Sequence, residues 1–171
     1  MAEYILYMWQ IEDMLRALAL DIEQVDRHVV SQFRVDEKTK LEIREWYDNL
    51  IAMMRLEKVE KSGHVQVKNM VNELVELHYH LLNQAADAKY RQLFLAAANN
   101  LLDYRRKANL PEDVSDVELA LHALYGRLML RLQKKEIHTQ TEEAMGTFSR
   151  MLGYLAARYK QMEEEEAKEF Q

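Results

Sequence analysis

From Tyr4 to Val29 the apolar residues Tyr4, Met8, Ile11, Leu15, Leu18, Ile22, Val25 and Val29 recur at alternating steps of four and three. A helix of 3.6 residues per turn gathers such a spacing onto one continuous face, whereas a half-buried strand would bury every second residue. Read as one helix over residues 4 to 30, the segment runs roughly 40 Å and needs a partner surface of similar length. The rest of the chain agrees with that demand. Only one proline and four glycines occur in 171 residues, which suits long helices and leaves little turn material for a sheet. No period-two alternation extends over a comparable length.

A second helix is expected from Asp36, which can cap its first turn with Val35 as the apolar staple, although Thr39 and Glu42 offer a later capping box. Its stripe is Ile43, Tyr47, Leu50 and Met54, widened by Trp46, Ile51 and Met53, and Gly63 supplies the stop. Residues 64 to 110 read either as one long helix with an irregularity or, the preferred reading, as two helices divided near Asn83 to Asp87. The first uses Val67, Met70, Val71, Leu74, Leu77 and Leu81; the second uses Tyr90, Phe94, Ala97, Leu101 and Tyr104. Ser115 with Glu118 and Thr139 with Glu142 have the spacing of capping boxes and open two further helices. The last carries Met145, Phe148, Leu152, Leu155, Tyr159 and Met162 on one face. The expected architecture is all-α, a compact bundle of five or six mostly antiparallel helices forming a single domain over residues 1–162. Glu163 to Glu166 place negative charge near a helix C-terminus, so residues 163–171 are expected to form a frayed acidic tail. No internal repeat of solenoid length is visible.

Composition narrows the chemistry. The absence of cysteine excludes disulfides, thiol nucleophiles and cysteine-ligated metals. A formal net charge of -6 gives no electrostatic basis for a nucleic-acid partner. The opening stretch EYILYMWQIED lacks the basic n-region of a secretory signal, and Glu12 and Asp13 interrupt its apolar run. No run approaches the roughly 20 apolar residues that span a bilayer. Residues 1 to 30 hold six acidic residues against Arg16 and Arg27, which opposes attachment to anionic lipid. A cytoplasmic location is the resulting expectation.

The most reactive-looking run is NELVELHYH, residues 72 to 80. Glu76 and His80 are four apart and could present two metal ligands on one helical side; Glu118 and His122 repeat the spacing. Ferritin-like sites instead use glutamate and histidine three residues apart with further carboxylates. The ordinary reading is therefore preferred: His78 and His122 are hydrogen-bonded, partly buried residues near apolar stripes, and His64 and His80 belong to the surface. No phosphate-binding loop, serine elbow, HExxH pair or EF-hand loop occurs. Thus no catalytic residue, metal ligand or cofactor is assigned. Arg105, Arg106 and Lys107 complement a helix C-terminus before Pro111, and Arg127, Arg131, Lys134 and Lys135 read as solvated charge. Met53, Met54, Met129, Met145, Met151 and Met162 read as core filler, with an apolar-ligand carrier as the minority reading.

The segments MAEYILYMWQIEDMLRAL, VNELVELHYHLL and LHALYGRLMLRLQKKEI together resemble an uncharacterised all-helical family known chiefly from Bacteroidetes and catalogued as a domain of unknown function. The resemblance covers nearly the whole chain and implies a small bacterial, cytoplasmic protein. It transfers no substrate, cofactor or site. The leading functional expectation is a noncatalytic helical interaction module, as a homodimer or with another protein partner, because long apolar stripes can pair within one chain or across a two-fold interface. A metal-dependent enzyme or metal-binding bundle using Glu and His side chains is the alternative, followed by a carrier of a small apolar ligand.

Overall fold

The computed structural model describes residues 1–58 and 64–169, the last of these by its backbone alone. Among the described residues there are seven α-helices: α1 (Ala2–Ala17), α2 (Ile22–His28), α3 (Glu37–Leu56), α4 (Val65–Tyr79), α5 (Ala88–Ala108), α6 (Asp116–Leu132) and α7 (Thr139–Glu169). A 3-10 turn (Val30–Gln32) follows α2, and a π-helical turn (His80–Gln84) follows α4. The all-α class is as expected, but the count of five or six helices is corrected to seven.

The additional helix comes from a break inside the first seam. Ala19 and Leu20 both take the left-handed conformation, with φ of 56° and 55°. The Leu20 amide donates to the Leu15 carbonyl at 2.8 Å, the long closing bond of a Schellman stop. Asp21 then restarts the helix by accepting the Glu23 amide at 2.9 Å. The three-four spacing of the sequence runs on across the break, but its members are not equally enclosed: Met8, Ile11, Leu15 and Val25 are buried, Leu18, Ile22 and Val29 are half-buried and Tyr4 is exposed. Asn109 and Lys134 end α5 and α6 in the same left-handed way, with φ of 50° and 55°. Among the described residues no glycine has positive φ, and Gly126, Gly146 and Gly153 lie inside α6 and α7. The expected stop at Gly63 lies outside the described residues.

The other expected starts are where the sequence puts them. Asp36 caps α3 through the Thr39 amide at 2.9 Å. The break expected within Asn83 to Asp87 is present: Ala86 is left-handed with φ of 47°, and Asp87 caps α5 through the Tyr90 amide. Ser115 and Glu118 form a reciprocal capping box on α6. At Thr139 the box does not form, because Glu142 is drawn to Arg131 at 2.9 Å and Arg127 at 3.4 Å.

The chain divides into two compact units, one of Met1–Leu6 with Met70–Gln171 and one of Tyr7–Asn69. In the larger unit α5, α6 and α7 touch one another. Of these α6 is the most enclosed, with Val117, Leu119, Ala120, Leu121, Ala123 and Leu124 buried. Tyr90, Ala97 and Leu101 of α5 and Phe148, Met151, Leu152 and Leu155 of α7 complete its apolar interior. In the smaller unit α2 rests on α3, and Arg44 of α3 reaches Glu23 of α2 at 2.5 Å. Its core holds Met8, Ile11, Leu15, Val25, Leu50, Ile51 and Met54. Among the described residues no helix is long and apolar enough to cross a membrane.

Candidate functional site

The sequence places Trp46 beside the apolar stripe of α3, yet the fold leaves it 40 % exposed. Tyr47 and Leu50 claim the inward direction, and one helical step of about 100° carries Trp46 off that face. Tyr7 on α1 is 48 % exposed and Phe33, ahead of α3, is 42 % exposed. These three side chains and Tyr47 line one open concavity of ≈ 370 Å³ in the smaller unit, together with Thr39, Glu42 and Ile43. Residues 39, 42, 43 and 46 share a face of α3 by their three- and four-residue spacing, and buried Tyr47 stands at its inner edge. Trp46 and Tyr47 meet edge to face, their ring centroids 4.9 Å apart. Burial, and then the neighbouring Tyr7, push the Tyr47 phenol upward from its ordinary value, so it stays neutral.

The polar groups of this concavity are few. Thr39 donates its hydroxyl proton to Asp36 at 2.9 Å and is occupied. Glu42 is exposed and has only a loose ion pair with Lys38, at 4.0 Å. Among the described residues no lysine, arginine or histidine belongs to the lining. A second concavity in the same unit is of another kind: Lys40 pairs with Glu37 at 3.2 Å, and Arg44 lies 3.9 Å from Asp26. Its charges are answered locally.

Among the described residues Glu12, His64 and His78 are buried polar side chains. Glu12 is 1 % exposed, and its carboxylate accepts the backbone amide of His64 at 2.9 Å with Arg16 at 3.5 Å. His64 is itself buried, against the surface position expected, and its Nδ1 lies 3.3 Å from Glu57. In the larger unit His78 Nδ1 and the Tyr90 hydroxyl share a 2.6 Å hydrogen bond between two buried rings. Burial lowers the His78 pKa, against the pull of Asp116, and raises that of Tyr90, so both are held neutral. Asp87 extends this cluster by accepting from the Tyr154 hydroxyl at 3.0 Å, with Arg158 at 3.8 Å. A backbone amide, that of Tyr90, is the main group holding the Asp87 carboxyl below its usual range. These hydrogen bonds tie helices together: His78 of α4 to Tyr90 of α5, and Asp87 at the start of α5 to Tyr154 of α7.

With this geometry in place, residues 1–166 match the family described as a domain of unknown function, DUF4924. The chain belongs to the DUF4924 family. This accords with the all-helical family that the sequence resembles, while the match carries no restriction to Bacteroidetes. No curated protein and no solved structure matches the chain. The residues of this DUF4924 chain with metal-ligand spacing are committed elsewhere or exposed. Glu118 accepts from the Ser115 amide at 3.0 Å and its hydroxyl at 2.7 Å, His80 lies 2.9 Å from the side chain of Gln84, and Glu76 and His122 are exposed. Among the described residues no three His, Cys, Asp or Glu side chains gather as a metal would need. Residue periodicity could not separate the aromatic face from the core, since Trp46 and Tyr47 are adjacent and both apolar. Glu12 did carry a signal: it falls between Ile11 and Leu15, four residues after Met8, on the buried side.

Proposed function

We propose that this DUF4924 chain is a noncatalytic helical module that works by binding protein, in the cytoplasm of a bacterium, with a second copy of itself as the simplest partner. The observation that carries this reading is the grouping of Tyr7, Phe33 and Trp46, each at least 40 % exposed, around one concavity. Tyrosine, phenylalanine and tryptophan are the residues enriched at protein interfaces, where they supply large contact area at small entropic cost. A free surface gains nothing from holding three such rings together in water, and burying them against a partner recovers roughly 25 cal/mol for each Å² of apolar area. Tyr7, Phe33 and Trp46 stand outside the buried set of the smaller unit, whose core is supplied by residues such as Met8, Ile11, Leu15, Val25, Leu50, Ile51 and Met54.

Sedimentation velocity across micromolar to millimolar concentration tests the reading. The wild-type chain is expected to self-associate, and Trp46→Ala with Tyr7→Ala is expected to weaken association at least about tenfold while leaving the helical content unchanged, as for a pair of central interface aromatics. A chain that stays monomeric throughout and retains no protein partner on affinity purification would overturn it.

A further inference from the structure

The aromatic concavity combines features that select a particular kind of contact. Four rings, Tyr7, Phe33, Trp46 and Tyr47, surround it, and among the described residues Glu42 is the carboxylate in its wall. The faces of aromatic rings carry negative electrostatic potential and attract cations, tryptophan most strongly. Glu42 adds a full negative charge that its distant partner Lys38, 4.0 Å away and itself largely exposed, only loosely offsets. Among the described residues the lining contains no basic side chain. We propose that this concavity receives the lysine or arginine side chain of a partner protein, with the cationic head against Trp46 and Tyr7 and its charge answered by Glu42. This deepens the protein-binding reading and rests on it.

The open geometry favours a side chain carried by a protein over a free small cation. Tyr7, Phe33 and Trp46 remain between 40 % and 48 % exposed, and a small ammonium ion would leave most of that area in water. An exposed cation–π contact is weak by itself and gains strength when flanking surface excludes water. A partner supplies that flanking surface, and the alkyl stem of its lysine or arginine can lie along Phe33 and Ile43.

Isotope-labelled full-length protein titrated with three probes provides the test: acetyl-Gly-Arg-Gly-amide, the same peptide with neutral citrulline in place of arginine, and tetramethylammonium chloride. The arginine peptide is expected to shift the indole resonance of Trp46 and the amides of residues 42–47 in the millimolar range. Citrulline, Glu42→Gln and Trp46→Leu should each weaken that binding about two- to fivefold, the size of one exposed cation–π or charge contact. Because Glu42 is exposed, Glu42→Gln keeps the test decisive even if Trp46→Leu perturbs the fold. Equal binding of the citrulline peptide, or no response to arginine at tens of millimolar, would overturn the proposal. Tetramethylammonium binding as tightly as the arginine peptide would overturn the assignment to a protein side chain. Sedimentation of the same samples separates the two readings: self-association that survives alongside equal arginine and citrulline binding removes the cation and leaves the protein interface.

Discussion

Glu12 occupies a position that a helix normally gives to leucine, between Ile11 and Leu15 on the buried side of α1. Its carboxylate takes the backbone amide of His64, a donor at the start of α4 that no intrahelical carbonyl can satisfy. The acid is therefore tolerated in the interior because it closes an otherwise orphaned N–H, with Arg16 offsetting part of its charge at 3.5 Å. Glu12→Ala removes the acceptor and leaves that amide buried, which is expected to cost about 1–3 kcal/mol in stability. Glu12→Gln retains a carbonyl oxygen and should lose less. Urea denaturation of the two variants against wild type measures the difference, and an alanine variant as stable as wild type would mean that water reaches the His64 amide.

At the scale of the helices, much was legible in the sequence. Asp36 and Ser115 announce α3 and α6 because a short side chain that accepts an amide proton has few other reasons to precede an apolar stripe. The break after α1 was not legible, since the stop falls on Ala19 and Leu20 rather than on glycine, and the apolar spacing continues through it. Asp21 was the available signal, hidden within a seam that otherwise reads as continuous. The exposed site was illegible for a related reason: periodicity assigns Trp46 and Tyr47 to one broad stripe, and only the packed neighbours decide that Tyr47 turns inward. Left-handed backbone costs an alanine roughly 1 kcal/mol relative to glycine. Ala19 is exposed, so Ala19→Gly changes little besides that cost and is expected to raise stability by up to about 1 kcal/mol, less the entropy gained by the unfolded chain. Thermal melting by circular dichroism checks the sign; a lowered midpoint would show that the left-handed turn is not what limits this connection.

For the molecule as a whole, the boundaries between the two compact units fall between Leu6 and Tyr7 and between Asn69 and Met70. Both boundaries lie within helices, the first in α1 and the second in α4. Separating the units would cut two helices and expose the hydrogen bonds of their middle turns, which is costly because helix stability is cooperative along the chain. We propose on this ground that residues 1–162 unfold as one domain, and that residues 163–171 contribute little. The side chains of residues 163–168 are exposed, and pairs such as Lys160 with Glu164 lie on the surface, where ion pairs add little. Calorimetry of the full chain is expected to give a single transition with an unfolding enthalpy of about 110 kcal/mol near 60 °C, and a calorimetric value equal to the van't Hoff value. A chain ending at Met162 should reproduce both the midpoint and the enthalpy within about a tenth. Two transitions, or a van't Hoff enthalpy well below the calorimetric one, would show that the units melt separately and that neither α1 nor α4 transmits unfolding between its two halves.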